Sequence, residues 1–192
     1  MPATDATPPH AEPARRSHRG LVEWAVIIVV AVVVTFLVRQ FVVEAYYIPS
    51  GSMEPTLMIG DRVLVDKLSY DLHSVHRGDI VVFARPPTEH DLQVDDLIKR
   101  VVGLPGDTIS SGPGGEVLID GKPLAQPWLT PHDRASPGPA IQPQTLGRGQ
   151  YYMLGDNRDN SEDSRYIGPI SGNLIVGRAV ARVWPLGHFH IF

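Results

Sequence analysis

The sequence predicts an all-β fold, mainly antiparallel and partly barrel-like, carried behind one N-terminal transmembrane helix. Three observations lead there. An apolar segment occupies residues 21–43, short β-type runs separated by turn residues fill most of the chain beyond it, and no long amphipathic helix intervenes among them. Eighteen Gly and 18 Pro in 192 residues favour turns over long helices, and 43% hydrophobic content is enough for a core of ordinary size.

Residues 1–20, rich in Pro, Ala, Thr and charge, are expected to form a disordered cytoplasmic tail. From Trp24 to Val38 every residue but Thr35 is apolar, and the run extends back across Glu23 and forward across Arg39-Gln40. A span needs roughly 20 mostly apolar residues, so 21–43 suffices if Glu23 and Arg39 reach toward the two interfaces. Arg15, Arg16 and Arg19 precede the segment and only Arg39 closely follows it. That bias sets the N-terminus in the cytoplasm and residues 44–192 outside it, as an extracytoplasmic domain held at a membrane. The same start also fits a cleavable secretion signal, with Val43-Glu44-Ala45 as its cleavage site.

Beyond Pro55 the β-type runs are 62–65, 79–84, 97–102, 117–119, 151–154 and 175–184. Asp120-Gly121, between Val117-Leu118-Ile119 and Lys122-Pro123-Leu124, predicts a two-residue hairpin, because a type I′ turn needs positive φ at both central positions. The segment from Pro123 to Pro143 has several prolines and little periodicity, which predicts a loop excursion over about 123–145.

Composition removes several function classes. With 17 Lys+Arg against 21 Asp+Glu the net charge is -4, and no basic run is longer than Arg15-Arg16, so a nucleic-acid partner is not expected. Cysteine is absent, which excludes disulfides, thiol catalysis and cysteine-ligated zinc together. Asp159, Ser161 and Asp163 hint at a calcium loop, but Ser164 stands where that loop needs Gly and Ile170 where it needs Glu. No metal or cofactor is expected.

Two polar motifs and one lysine remain. Ser52 lies in Pro49-Ser50-Gly51-Ser52-Met53-Glu54-Pro55-Thr56, and a serine hydroxyl needs a base within hydrogen-bond reach to become a nucleophile. None of the eight histidines stands in an arrangement that matches a triad, although a triad is defined by geometry and sequence alone does not exclude one. Lys99 offers another base. Alternation in Leu97-Ile98-Lys99-Arg100-Val101-Val102 puts Lys99 and Arg100 on opposite faces, so one of the two cations must meet apolar surroundings. A lysine desolvated there has its pKa lowered; a drop of about two from roughly 10.4 raises the neutral fraction near pH 7.5 from about 0.1% to about 10%. Read singly, each residue has a plainer explanation: Lys99 as a surface amine with Arg100 buried or paired, Ser52 as a turn residue, and Gly155–Arg165 as a polar turn cluster.

Taken together, three segments closely resemble the signature boxes of bacterial type I signal peptidases. They are Pro49 to Leu57, Lys99-Arg100-Val101-Val102-Gly103-Leu104-Pro105-Gly106-Asp107, and Gly155-Asp156-Asn157-Arg158-Asp159-Asn160-Ser161-Glu162-Asp163-Ser164-Arg165. The resemblance covers roughly residues 21–192 apart from the Pro123 to Pro143 region, with a single candidate span as in the shorter members. It implies a serine–lysine dyad with Ser52 as nucleophile and Lys99 as general base. It further implies an oxyanion hole from Ser50 and the Ser52 N–H, Ser161 orienting the lysine amine, and an Asp163–Arg165 pair fixing the loop. By the same resemblance Ile48, Pro49, Met53 and Ile98 would line shallow pockets that admit small side chains. The substrate would be a preprotein signal peptide cut after small residues at the first and third positions before the bond. Two other readings compete: a self-cleaving regulator of the same chemistry, which would normally carry a DNA-binding domain, and an exported β-domain that binds a ligand after losing its own signal.

Overall fold

The computed structural model describes residues 18–87 and 95–192. The chain divides into a helical unit up to Val38 and a β-rich unit from Arg39 to Phe192. Helix α1 spans His18–Phe41, 24 residues with no proline among them, and so runs three residues past that division. The expected tail, residues 1–20, lies outside the described residues except for its last three, which open this helix. Among the described residues, which include α1 side chains only over 20–36, no helix is long and apolar enough to cross a membrane.

The β-rich unit begins at once. Its strands are β1 (Val43–Tyr47), β2 (Arg62–Asp66), β3 (Ile80–Ala84), β4 (Asp96–Gly103), β5 (Thr108–Ser111), β6 (Val117–Ile119), β7 (Lys122–Pro123), β8 (Gln144–Thr145), β9 (Gln150–Leu154), β10 (Ile170–Ser171), β11 (Ile175–Trp184) and β12 (His190–Ile191). Three helical turns, α2 (Ser69–Leu72), α3 (Pro131–Ala135) and α4 (Ser164–Ile167), interrupt them. One sheet runs β1-β2-β11-β3-β4-β9-β10 with β12 beside β11, and a second runs β7-β6-β5-β8. The pairings are antiparallel. The hairpin forms as expected: Asp120 and Gly121 have φ of 51° and 74°, and Ile119 pairs with Lys122.

Strand β3 explains the layering. Ile-Val-Val-Phe is apolar on both faces, so Ile80 and Val82 enter one core cluster with Ile48, Met53, Leu57, Val63 and Val65, while Val81 and Phe83 enter another with Val101, Met153 and Ile170. A third cluster, with Ile109, Val117 and Leu146, fills the second sheet. The first sheet is strongly curled. Three strands separate β1 from β4, which in a flat sheet would put them about 19 Å apart. Yet the Tyr46 hydroxyl on β1 lies close enough to the Asp96 carboxylate on β4 for each to shift the other's pKa. Curling therefore brings the end of β1 against the start of β4.

The 123–145 excursion is not a free surface loop. Leu129 and Ile141 are buried, Trp128 packs against the second-sheet cluster, and Gln144–Thr145 forms β8 against β5. Within it Thr130 and Asp133 build a reciprocal capping box that starts α3, with Pro131 in the first turn.

Candidate active site

The turn after β1 and the start of β4 meet at one point. Ser52 sits in a short 3-10 turn, Gly51–Met53, and Lys99 is the fourth residue of β4; both are buried. Lys99 Nζ lies 2.8 Å from Ser52 Oγ, across 47 residues of sequence. The Ser50 hydroxyl is 3.5 Å from Ser52 Oγ and exposed. Together they line a groove of about 260 Å³ with Pro49, Leu97, Ile98 and the polar rim residues Asp96, Asn160 and Glu162. Strand β9 pairs β4 only from Arg100 onward, so among the described residues β9 does not extend opposite residues 96–99 beside the groove. Burial raises the pKa of the Asp96 carboxyl, partly offset by the Tyr46 hydroxyl. A larger cavity of about 480 Å³, lined by Thr56, Arg100, Arg178 and Arg182, holds no comparable nucleophile–base pair.

The loop from Gly155 to Arg165 holds this junction from behind. Asp163 and Arg165 form a buried bidentate pair at 2.8 Å. Asp163 also caps α4 and accepts from the Gly155 N–H at 3.0 Å, so one carboxylate ties both ends of the loop. Arg165 reaches on to the carbonyls of Arg158 and Pro137. Arg158, buried against Gly155 O and Gln126, has its pKa pushed down to about 10 by desolvation. Asn157 donates its N–H to Ser52 O at 3.1 Å and its side-chain amide to Gly51 O at 3.0 Å.

Both cations of β4 are buried, not one. Arg100 is neutralised by Asp156, with contacts of 2.8 and 2.6 Å, donates to Gly78 O, and stacks on Trp128 with 5.0 Å to the ring centroid. Thr56 completes the Asp156 shell at 2.5 Å. Removing one partner of a buried pair strands the other charge, at a cost of about 3–5 kcal/mol. Asp156→Ala should therefore lower the melting temperature by about 10 °C or more, measured by thermal denaturation of the purified chain. Wild-type melting would exclude a structural role for the pair.

The structure departs from the expected site in two ways. Ile48 and Met53 have 2% and 0% exposure and lie inside the core, because Ile48 is turned inward by backbone bonds to Asp61 and from Gly60. They support Ile98 from beneath; Pro49 and Ile98 line the groove. Ser161 Oγ is buried and, among the described residues, has no hydrogen-bond partner, the Lys99 amine included. Among the described residues no carboxylate or histidine cluster suits a metal, and Asp163 is already committed to Arg165. Thr56, Asp156 and Asn157, to which the sequence alone assigns no role, all lie within the quoted motifs. An arginine in an apolar strand was the signal that an acid had to exist.

The model of the family described as "Signal peptidase, peptidase S26" matches residues 21–184. A signal peptidase I from Leptolyngbya laminosa is 41% identical over 191 residues, covering 95% of this chain and 90% of that protein. Signal peptidase IB from Staphylococcus aureus is 35% identical over 185 residues, covering 89% and 93%. A crystal structure of a signal peptidase I from Enterococcus faecalis V583 aligns at 28% identity and a TM-score of 0.44, over 55% of this chain and 97% of that one. With the family model spanning most of its length and relatives of this identity matched nearly end to end, the chain belongs to the signal peptidase family, peptidase S26, and is a hydrolase of the signal peptidase I type.

Proposed function

We propose that this chain is a membrane-bound serine endopeptidase that removes signal peptides from preproteins after small residues at the first and third positions before the bond. The observation that carries the mechanism is the 2.8 Å approach of Lys99 Nζ to Ser52 Oγ in a shared, buried position. Burial disfavours the charged ammonium, so the amine can accept a proton. Ser52 Oγ attacks the carbonyl carbon of the residue before the bond while its proton passes to Lys99. The Ser50 hydroxyl and the Ser52 N–H receive the developing oxyanion. Lys99 then gives the proton to the leaving amine, and the mature protein departs. A water, deprotonated by Lys99, hydrolyses the acyl-enzyme and frees the signal peptide. In this mechanism Ser161 would receive the Lys99 amine when it turns from Ser52, and the Asp163–Arg165 pair would keep the Ser161 loop in place.

The start of β4, residues 96–99, lines the groove beyond the end of the β9 ladder, and an extended substrate would lie along it as an added strand. Alternate side chains would then face Pro49 and Ile98, where the shallow floor rejects large groups by overlap.

In this reading residues 21–43 anchor the enzyme, with Arg15, Arg16 and Arg19 on the cytoplasmic side and the domain from residue 44 outside. Exposed apolar residues support seating at the lipid interface: Tyr47 and Trp184 flank Arg62 across three strands, and Leu186, Phe189 and Ile191 lie just beyond them in the chain. A cleaved-signal reading would cut after Ala45, inside β1, where five consecutive residues pair with β2. The test is cleavage, in detergent, of a precursor bearing Ala-x-Ala before its mature region. Wild type should release the mature N-terminus at that bond and Ser52→Ala should not; equal cleavage by both would sink the proposal.

A further inference from the structure

We infer that Asn157 is a positioning residue that aims the oxyanion-binding N–H of Ser52, a role that rests on the serine–lysine mechanism proposed above. In a trans peptide the carbonyl of one residue and the N–H of the next are fixed in one plane and point in opposite directions. The unit joining Gly51 to Ser52 is the one whose N–H must face the oxyanion. Its carbonyl end is held twice: Asn157 Nδ2 donates to Gly51 O at 3.0 Å, and the Glu54 N–H donates to the same oxygen at 3.1 Å. The Asn157 N–H donates to Ser52 O at 3.1 Å, on the next peptide unit. One residue, more than a hundred positions away, thus grips both peptide planes that flank the Ser52 Cα.

Glycine makes that grip necessary. A Cβ at position 51 would come within 3.0–3.2 Å of the Glu54 carboxyl group, the end of a flexible side chain that can give way, so steric room alone does not demand Gly there. Glycine leaves the adjoining peptide plane free to rotate. The side-chain amide of Asn157 removes that freedom, and its own position is set by Asp156, which Arg100 and Thr56 hold from the other side. Donors preorganised toward the charge that develops in the transition state act on the chemical step and not on substrate binding.

The test uses the full-length enzyme in detergent, with Asn157→Ala and Asn157→Asp. Aspartate keeps the volume and the backbone bond to Ser52 O but its carboxylate cannot donate to Gly51 O. Three quantities are measured: kcat, KM for a precursor peptide ending its signal in Ala-x-Ala, and Ki for the matching peptide aldehyde. Ser52 Oγ adds to that aldehyde carbon, so the former carbonyl oxygen occupies the oxyanion position. Since one whole oxyanion donor is worth about 100- to 1000-fold in kcat, losing its aim should lower kcat about 10- to 100-fold. KM should stay within about twofold, and the aldehyde Ki should rise in proportion to the loss in kcat/KM. A folding defect would only reduce the active fraction and leave Ki unchanged. If Asn157→Ala fails to fold, Asn157→Asp carries the test. Unchanged kcat and Ki, or a fall in kcat with unchanged Ki, overturns the role of Asn157. Ser52→Ala, run alongside, separates the two levels: cleavage by that variant would remove the mechanism itself, whereas its inactivity beside wild-type behaviour of the Asn157 variants removes only this inference.

Discussion

Ser52→Ala and Lys99→Arg should each lower kcat/KM on the order of 10⁵-fold, with the melting curve of the folded protein little changed. The serine variant removes the nucleophile outright. The lysine variant is the sharper one, because arginine keeps the positive charge and most of the reach but stays protonated at any working pH, so it cannot accept the Ser52 proton. Lys99→Ala should be equally inactive. The two groups act as a unit, so the double variant should be no slower than either single one. Rates are read from release of the mature peptide, under conditions where the chemical step limits turnover. Lys99→Arg activity within about tenfold of wild type would show that charge, not proton acceptance, is what position 99 supplies.

Gly155→Ala should be nearly as damaging although it adds one methyl group and touches no reacting atom. A Cβ at position 155 would fall inside 3.0 Å of both Ser161 Oγ and the Ser52 carbonyl oxygen. Neither neighbour is a flexible chain end. Ser52 O is backbone, tied to Asn157, and Ser161 is confined in the loop that the Asp163–Arg165 pair locks. The displacement therefore falls on the Ser52 backbone or on the loop bonded to it, and either shift disturbs the alignment of Ser52 with Lys99. A 1 Å misplacement at a reacting centre can cost about 100-fold, so kcat should drop by at least that factor. The check is kcat and KM beside a thermal melt. A variant with wild-type kcat would show that the 52–155 contact can open without disturbing the dyad.

Much of this architecture could be read from residues, and where it could not the reason is physical. The runs at 117–119 and 175–184 coincide with β6 and β11, because turn residues bound them on both sides. Strand β1 was hidden: Val42-Val43 continue the apolar run of the helix, and nothing local marks the change at Phe41 from helical to extended backbone. The Pro-rich excursion looked aperiodic because its anchors, Trp128, Leu129 and Ile141, are single buried residues and not a repeating face.

At the site, the motifs singled out Ser52 and Lys99, and the fold brings them within hydrogen-bond distance. Which apolar neighbours face substrate was not legible. Ile48 and Met53 sit on a turn, where the alternation rule of a strand no longer assigns faces, and both point into the core. The partner of Arg100 was equally out of reach of local pattern, since Asp156 comes from 56 residues further along.

A neutral Lys99 at working pH is what the mechanism requires above all, and the titration of that amine tests it most directly. The chain has three lysines, Lys67, Lys99 and Lys122, so nitrogen-15 labelling of lysine side chains gives few resonances to assign by single substitutions. Lys67 pairs with Glu44 near the surface and Lys122 is exposed, whereas Lys99 is 3% exposed. Desolvation disfavours an ammonium ion and so lowers its pKa. The Lys99 amine should lose its proton below the ordinary lysine range, and cleavage should fail as pH falls through that same transition. A Lys99 amine that stays charged across the pH range in which the enzyme is active would contradict the serine–lysine mechanism.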